Sequence, residues 1–424
     1  MGSLRPTAAS GPRGALRSSV FPLLVLVACG AAAKSNGAAD ASNGASLDGG
    51  GSSSDGDAGV APVADPCIEA GTCPLGQWID VTPADMSAKV LSPPTPASAN
   101  SAFGPGAVVG DPSRPTDLYI AEGGAGLWKS TDYGSHWTDI NPSIGYSPIG
   151  IPIAVAGTSP ATIWLSKGQG NGTVLKSTDA GQTFTTIPQS LAADLYSIQV
   201  DPNDNTHLIS GLHEVDGLVE STDGGSTWHP VGGSGWPSGG ISFYPFFINT
   251  GDATTTRSTW FAIAQDGAAP VITTNGGASW TIPNGLASGS GSTPNGLQHP
   301  HGAARLDQRG STLFVAGIYG PGQGVYRSTD LGANWSRVDS GNYPEAVVWS
   351  SAKNVYSMYG WACSGCTFMD VLESAPQPGT SWSLGTLPPG LAIGPNSLVV
   401  TNDGTHAIFV GTMWSEGIWV YVEP

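Results

Sequence analysis

Apolar positions along this chain come in short runs separated by Gly, Pro, Asp and Ser. Leu118–Ala121, Thr162–Leu165, His207–Ser210, Thr259–Ala262, Thr312–Val315, Asn354–Ser357 and Ala407–Val410 are seven copies of one short strand. Turn signals such as Asp111-Pro112 and Asp201-Pro202 precede some of them. Another strand follows each of four of these runs, in Gly126–Lys129, Val174–Lys176, Gly217–Glu220 and Gly324–Arg327. The pattern predicts units of four strands, seven of them, arranged as the blades of one propeller.

Between the third and fourth strands lies a repeated turn. Ser130-Thr131-Asp132-Tyr133-Gly134-Ser135-His136-Trp137 has the form S-x-D-x-G-x-x-W. It recurs at Ser177–Phe184, Ser221–Trp228, Thr273–Trp280 and Ser328–Trp335, with a worn copy from Ser374 to Trp382. The closing aromatics are spaced by 47, 44, 52, 55 and 47 residues. The carboxylates of Asp132, Asp179, Asp223 and Asp330, and the amide of Asn275, are placed to accept turn N–H groups. Glycine supplies the left-handed position. These five residues are structural, because the same turn in every blade does not line one site.

The turn resembles the Asp-box, or BNR, repeat of sialidases, xyloglucan-specific endoglucanases, sortilin-type receptors and photosystem II assembly factors. That resemblance covers residues 76–424 and implies a β-propeller. It does not choose among those functions. At the ends, Trp78–Pro83 matches the outer strand Trp137–Pro142, and Gly417–Val422 matches a third strand with nothing after it. The N-terminal strand is therefore expected to complete the seventh blade and close the ring.

Composition agrees. Gly 61 and Pro 34 are high, Trp reaches 14, and charged residues are only 11% of the 424. A coiled coil, a helical bundle and a highly charged disordered chain are excluded. A net charge of -17 repels phosphate backbones, so nucleic acid is not an expected partner. Arg5, Arg13 and Arg17 precede an apolar stretch, Val20–Ala28, too short to span a membrane. Leu26-Val27-Ala28-Cys29 resembles a bacterial lipobox, which implies cleavage after residue 28 and a lipid on Cys29. Residues 29–66 lack large apolar side chains and read as a tether of about 33 Å r.m.s. span. The propeller is assigned to 67–424. Cys67, Cys73, Cys363 and Cys366 are an even remainder, which suggests two disulfides in an exported protein, local pairs being the simplest of three connectivities.

With strands A to D counted outward from the axis, A–B and C–D turns share one face. B–C loops and D–A connections share the other. The second face gathers acids and aromatics: Glu122, His213, Glu214, Asp216, Trp236, Asp266, His301, Tyr319, Trp361, Trp414 and Glu416. Rings stack on the apolar faces of sugars, and carboxylates hold hydroxyls. The expected function is a lipid-anchored, monomeric propeller of the cell envelope that binds glycans. A glycoside hydrolase using Glu214, Asp216 or Asp266 is the enzymatic alternative, needing two facing carboxylates. A protein-binding scaffold of the envelope is the third. A sialidase needs an arginine cluster. Arg114, Arg257 and Arg309 fall on the wrong face, leaving Arg305 alone near the axis. His299-Pro300-His301 is a weak metal signal, and no metal or other cofactor is expected.

Overall fold

The computed structural model describes residues 74–86, 106–122, 126–144, 151–166, 173–188, 191, 193–266, 268–286, 305–317, 324–339, 344–350, 355–359, 371–374, 382–384, 395–413 and 417–424. Cys29, Cys67, Cys73, Cys363, Cys366, His301, Tyr319, Trp361, Trp414 and Glu416 lie outside these residues. Residues 59–424 fall in one compact unit. Among the described residues no helix is long and apolar enough to cross a membrane.

The architecture is an all-β propeller. The described strands form seven antiparallel sheets, which follow one another along the chain. Sheet 1 runs from Val108 to Asn141, sheet 2 from Ile153 to Ile187, and sheet 3 from Leu195 to Val231. Sheet 4 covers Ile241–Thr273, sheet 5 Leu306–Asp339, and sheet 6 Pro344–Leu384. Sheet 7 holds three consecutive strands within Pro395–Val422 and pairs with Trp78–Asp80 from the other end of the chain. The seven short runs predicted from sequence are all second strands of these sheets.

Consecutive sheets are joined by apolar side chains pointing off both faces, as the period-two pattern requires. Ala154 and Trp164 of sheet 2 meet Leu208 and Val219 of sheet 3. Leu118 and Ile120 of sheet 1 meet Ile408 and Val410 of sheet 7. The first sheet thus packs against the last.

The N-terminal strand adds to sheet 7 in the register Trp78↔Tyr421, Ile79↔Val420 and Asp80↔Trp419. Gly76 donates to the Val422 carbonyl at 2.9 Å, and Val81 donates to the Ile418 carbonyl at 2.9 Å. The Ile418 amide donates to Thr82 Oγ1 at 2.8 Å. Gly417, at φ +92°, lets that hydroxyl approach, since a Cβ there would stand 2.0 Å from it.

Sheet 4 corrects the expectation of seven four-stranded blades. Six sheets have four strands and this one has three. Its outer strand is reduced to the single bridge Ile272↔Thr281. The cause is local. Pro283 offers no N–H to continue the ladder. Ser234, arriving from sheet 3, also takes up hydrogen bonds alongside: its N–H donates to the Ala278 carbonyl, and its carbonyl accepts from Trp280.

The repeated turns share one geometry. In the second, Ser177 Oγ donates to Asp179 at 2.7 Å and accepts from the Gly181 amide at 2.9 Å. The Asp179 carboxylate accepts from the Thr183 amide at 2.9 Å. The same three bonds recur around Asp132, Asp223, Asn275 and Asp330. The turn glycine is left-handed, and so is the residue before it: Tyr133, Ala180, Gly224, Gly276 or Leu331. The glycine also abuts the preceding sheet. A Cβ on Gly181 would lie 2.8 Å from Leu127, and one on Gly134 would lie 2.8 Å from Val410 of sheet 7. The closing tryptophans 137, 228, 280 and 335 are buried, as their spacing predicted.

Candidate functional site

The site lies where sheets 3 and 4 meet, on the face of the B–C loops and D–A connections. The two sheets approach very closely here. A Cβ on Gly211 would stand 1.8 Å from the Phe243 carbonyl oxygen. That contact fixes the loop Leu212–Gly217 against the start of strand Ile241–Phe247.

His213 opens the loop. Its ring stacks on Tyr196 at 5.1 Å between centroids, with 5° between planes. Its Nδ1 lies 3.5 Å from Asp194 Oδ2, and its amide donates to the Asp194 carbonyl at 3.1 Å. Asp194 is buried just ahead of the innermost strand of sheet 3. Its hydrogen bond raises the His213 pKa above the ordinary histidine value, against the opposing effect of burial, and the charge of Glu214 adds to it. Tyr196 donates to Gln265 Oε1 at 2.9 Å and accepts from the Tyr244 hydroxyl at 3.1 Å. Burial pushes the Tyr196 phenol far up, so it remains a neutral donor. An imidazole held by a carboxylate and stacked on a phenol is a group of fixed orientation at the mouth of the ring.

Glu214 follows with an exposed side chain and φ of +54°. Its amide donates to the Ser242 hydroxyl at 2.9 Å, and Ser242 itself has φ of +51°. Five non-glycine residues have positive φ among the described residues. Three belong to the repeated turns; the other two are this hydrogen-bonded pair. Such backbone costs of order 1–3 kcal/mol per residue and concentrates at functional sites.

Asp216 is exposed, but its carboxylate is engaged, accepting from Trp236 Nε1 at 2.8 Å. Trp236 packs on Phe243 at 4.5 Å and on Trp280 at 4.9 Å. Two expectations are thereby sharpened. Trp236 is a pillar between sheets 3 and 4, and Asp216 steadies it. Glu214 is the candidate carboxylate with its charge turned to solvent.

Glu122 ends the second strand of sheet 1 and Asp266 ends that of sheet 4, so their backbones fall on the expected face. Asp266 pairs with Ile241, one residue from Ser242. The acids and aromatics gathered from the sequence did not include Tyr196, Ser242 or Tyr244. A signal was present: Tyr196 and Tyr244 sit on consecutive innermost strands, each ahead of a second strand ending in an acidic loop. Among the described residues no group of three or more His, Cys, Asp or Glu is placed to hold a metal.

No family model matches the chain. It is 27% identical over 268 residues to a xyloglucanase of Paenibacillus sp, covering 54% of this chain and 24% of the relative. It is 28% identical over 285 residues to xyloglucanase Xgh74A of Acetivibrio thermocellus, covering 62% of this chain and 29% of the relative. The chain thus spans less than a third of the length of either. Among solved structures it resembles the GH74 enzyme of Niastella koreensis, with TM-score 0.53, 20% identity, and coverage of 74% of this chain and 55% of that one. It also resembles YCF48 from Cyanidioschyzon merolae, with TM-score 0.52, 15% identity, and coverage of 82% and 99%. At such identities these structures speak to the fold: an all-β propeller.

Proposed function

We propose that this chain is an exported, lipid-anchored propeller that binds glycans of the xyloglucan type at the junction of sheets 3 and 4. The reading rests on one observation above others: the strained pair Glu214–Ser242 stands beside the stacked His213–Tyr196 pair that Asp194 orients. Backbone strain and a fixed imidazole on one face supply what sugar recognition needs. Glu214 accepts from hydroxyls, protonated His213 donates to ring or hydroxyl oxygens, and Gln265 does either. Similarity to two xyloglucanases supports the ligand class. In this reading seven blades close on residues 76–83, Cys29 carries the anchor, and the tether holds the ring off the envelope.

Hydrolysis is the second reading, favoured by the names of those relatives. It requires a second carboxylate facing Glu214, and Asp266, at the strand end beside Ser242, is the candidate. Screening the full chain on a glycan array, then incubating each hit with it, tests both. Retention of xyloglucan fragments without release of reducing ends is the expected result. Cleavage would turn the assignment to an enzyme, and an array without hits would turn it to a protein-binding scaffold.

A further inference from the structure

The central channel holds a second polar feature, independent of the glycan face. Arg305 precedes the innermost strand of sheet 5, Leu306–Arg309. Its side chain crosses the axis and Nη2 donates to the Val108 carbonyl at the start of sheet 1. Two cavities of about 480 and 540 Å³ meet at this arginine. The first is walled by Ile151, Ile153, Val155 and Val200, with Ser113 and Asn203 near its rim. The rim residues belong to A–B turns, so the chamber opens on the face of the repeated turns, opposite His213. Its volume falls in the ordinary range of small-molecule sites.

Every acid lining these cavities has its own polar partner, whereas among the described residues Arg305 has only the Val108 carbonyl. Asp111 pairs with Arg114 and accepts from Ser113. Asp201 accepts from His207 at 3.0 Å and from the Asn203 amide at 2.9 Å. Asp307 accepts from the Trp349 amide. Among the described residues Arg305 makes no ion pair, and its Nε is buried without a hydrogen-bond partner. Burial lowers the guanidinium pKa to about 10, and burial raises that of Asp307, the carboxylate whose charge acts on it. A buried guanidinium with one backbone acceptor and a bare Nε–H is costly, and an external anion relieves that cost.

We propose that this channel binds the carboxylate of a small organic acid, with Arg305 as its counter-charge. The planar fork of Nε and Nη matches two carboxylate oxygens. A small turn of the head presents that edge to the cavity. One cation balances one carboxylate, whereas a phosphate dianion would be left half-neutralised. The aliphatic wall accommodates the organic body, and Asn203 and Ser113 offer hydrogen bonds at the rim.

The test is calorimetric titration of the full chain with acetate, butyrate, glucuronate and citrate, using inorganic phosphate and chloride as comparison arms. At least one carboxylate should bind with one-to-one stoichiometry. Its affinity should fall about tenfold or more in Arg305→Gln, equivalent to about 1.4 kcal/mol. Asn203 is exposed at the rim, so Asn203→Trp should obstruct entry without disturbing the core, and it serves if Arg305→Gln fails to fold. Saturable binding of none of the four acids by folded wild-type protein would overturn the proposal. So would undiminished affinity in folded Arg305→Gln, or undiminished affinity in Asn203→Trp. Tighter binding of phosphate or chloride would overturn the assignment to a carboxylate. Glycan binding at the other face is unaffected by any of these results.

Discussion

His213 and Asp179 titrate in opposite senses, and each sense has a named cause. Asp194 raises His213, so its stabilisation is complete below the unfolded value near 6.5 and is lost as pH rises through the higher folded value. An imidazolium donating to sugar oxygens should lose affinity over the same window. Titrations at pH 6 and 8.5 should therefore show weaker glycan binding at the higher pH, and His213→Gln should flatten the profile. A pH-independent wild type would remove His213 from the site. Hydrogen bonds from Thr183, then Ser177, hold Asp179 down to about 2. Its contribution is present above the unfolded value near 3.9 and is lost as pH falls through about 2. Asp179→Ala removes the acceptor of the Thr183 amide and of the Ser177 hydroxyl and should cost about 0.5–1.5 kcal/mol in chemical denaturation, with glycan affinity intact. Loss of binding in the folded variant would reverse the assignment of faces.

The elements divide by how much of their sequence is punctuated. The second strands, the third strands and the repeated turns were all legible, because Gly, Asp and a closing aromatic recur at fixed offsets. The innermost strands were not. Leu195–Asp201 and Ile241–Phe247 carry few turn residues and no repeated motif. Tyr196, Ser242 and Tyr244 sit on them, which is why half of the candidate site escaped sequence reading. The missing outer strand of sheet 4 was also invisible, since Trp280 closes a well-formed turn and only the approach of Ser234 from sheet 3 shows what replaces the strand. Trp236 is expected on the ligand face from its place in a D–A connection, and the structure adds what it packs against. Its contacts with Phe243, Trp280 and Asp216 are long-range and leave no local trace. At this scale the N-terminal strand is the sharpest test. Deleting residues 67–83 exposes the open edge of Gly417–Val422 and removes Trp78 from its contact with Tyr421. Melting should occur several degrees lower, a shift that corresponds to a loss of about 1 kcal/mol or more. An unchanged melting temperature would show that Trp78–Asp80 is dispensable to the propeller.

For the molecule as a whole, the ring places the two proposed sites on opposite faces. B–C loops and D–A connections bring Glu214, His213 and Gln265 to one mouth, while the repeated turns and the chamber of Arg305 open at the other. The proposed anchor belongs to the scale of the whole chain. A lipidated Cys29 should hold the protein in membranes, and Cys29→Ser should shift it to the soluble fraction, because the tether has no apolar segment to replace the lipid. Mutant protein remaining in the membrane fraction would count against a lipoprotein. The central claim is sugar recognition at the junction of sheets 3 and 4, and calorimetric titration of xyloglucan oligosaccharide into the full chain and into Glu214→Gln tests it most directly. Saturable binding by the wild type, weakened about tenfold or more in the variant, is the result predicted for the loss of a charged acceptor. A folded wild type that binds no oligosaccharide, or a Glu214→Gln variant that binds as tightly as wild type, would contradict it.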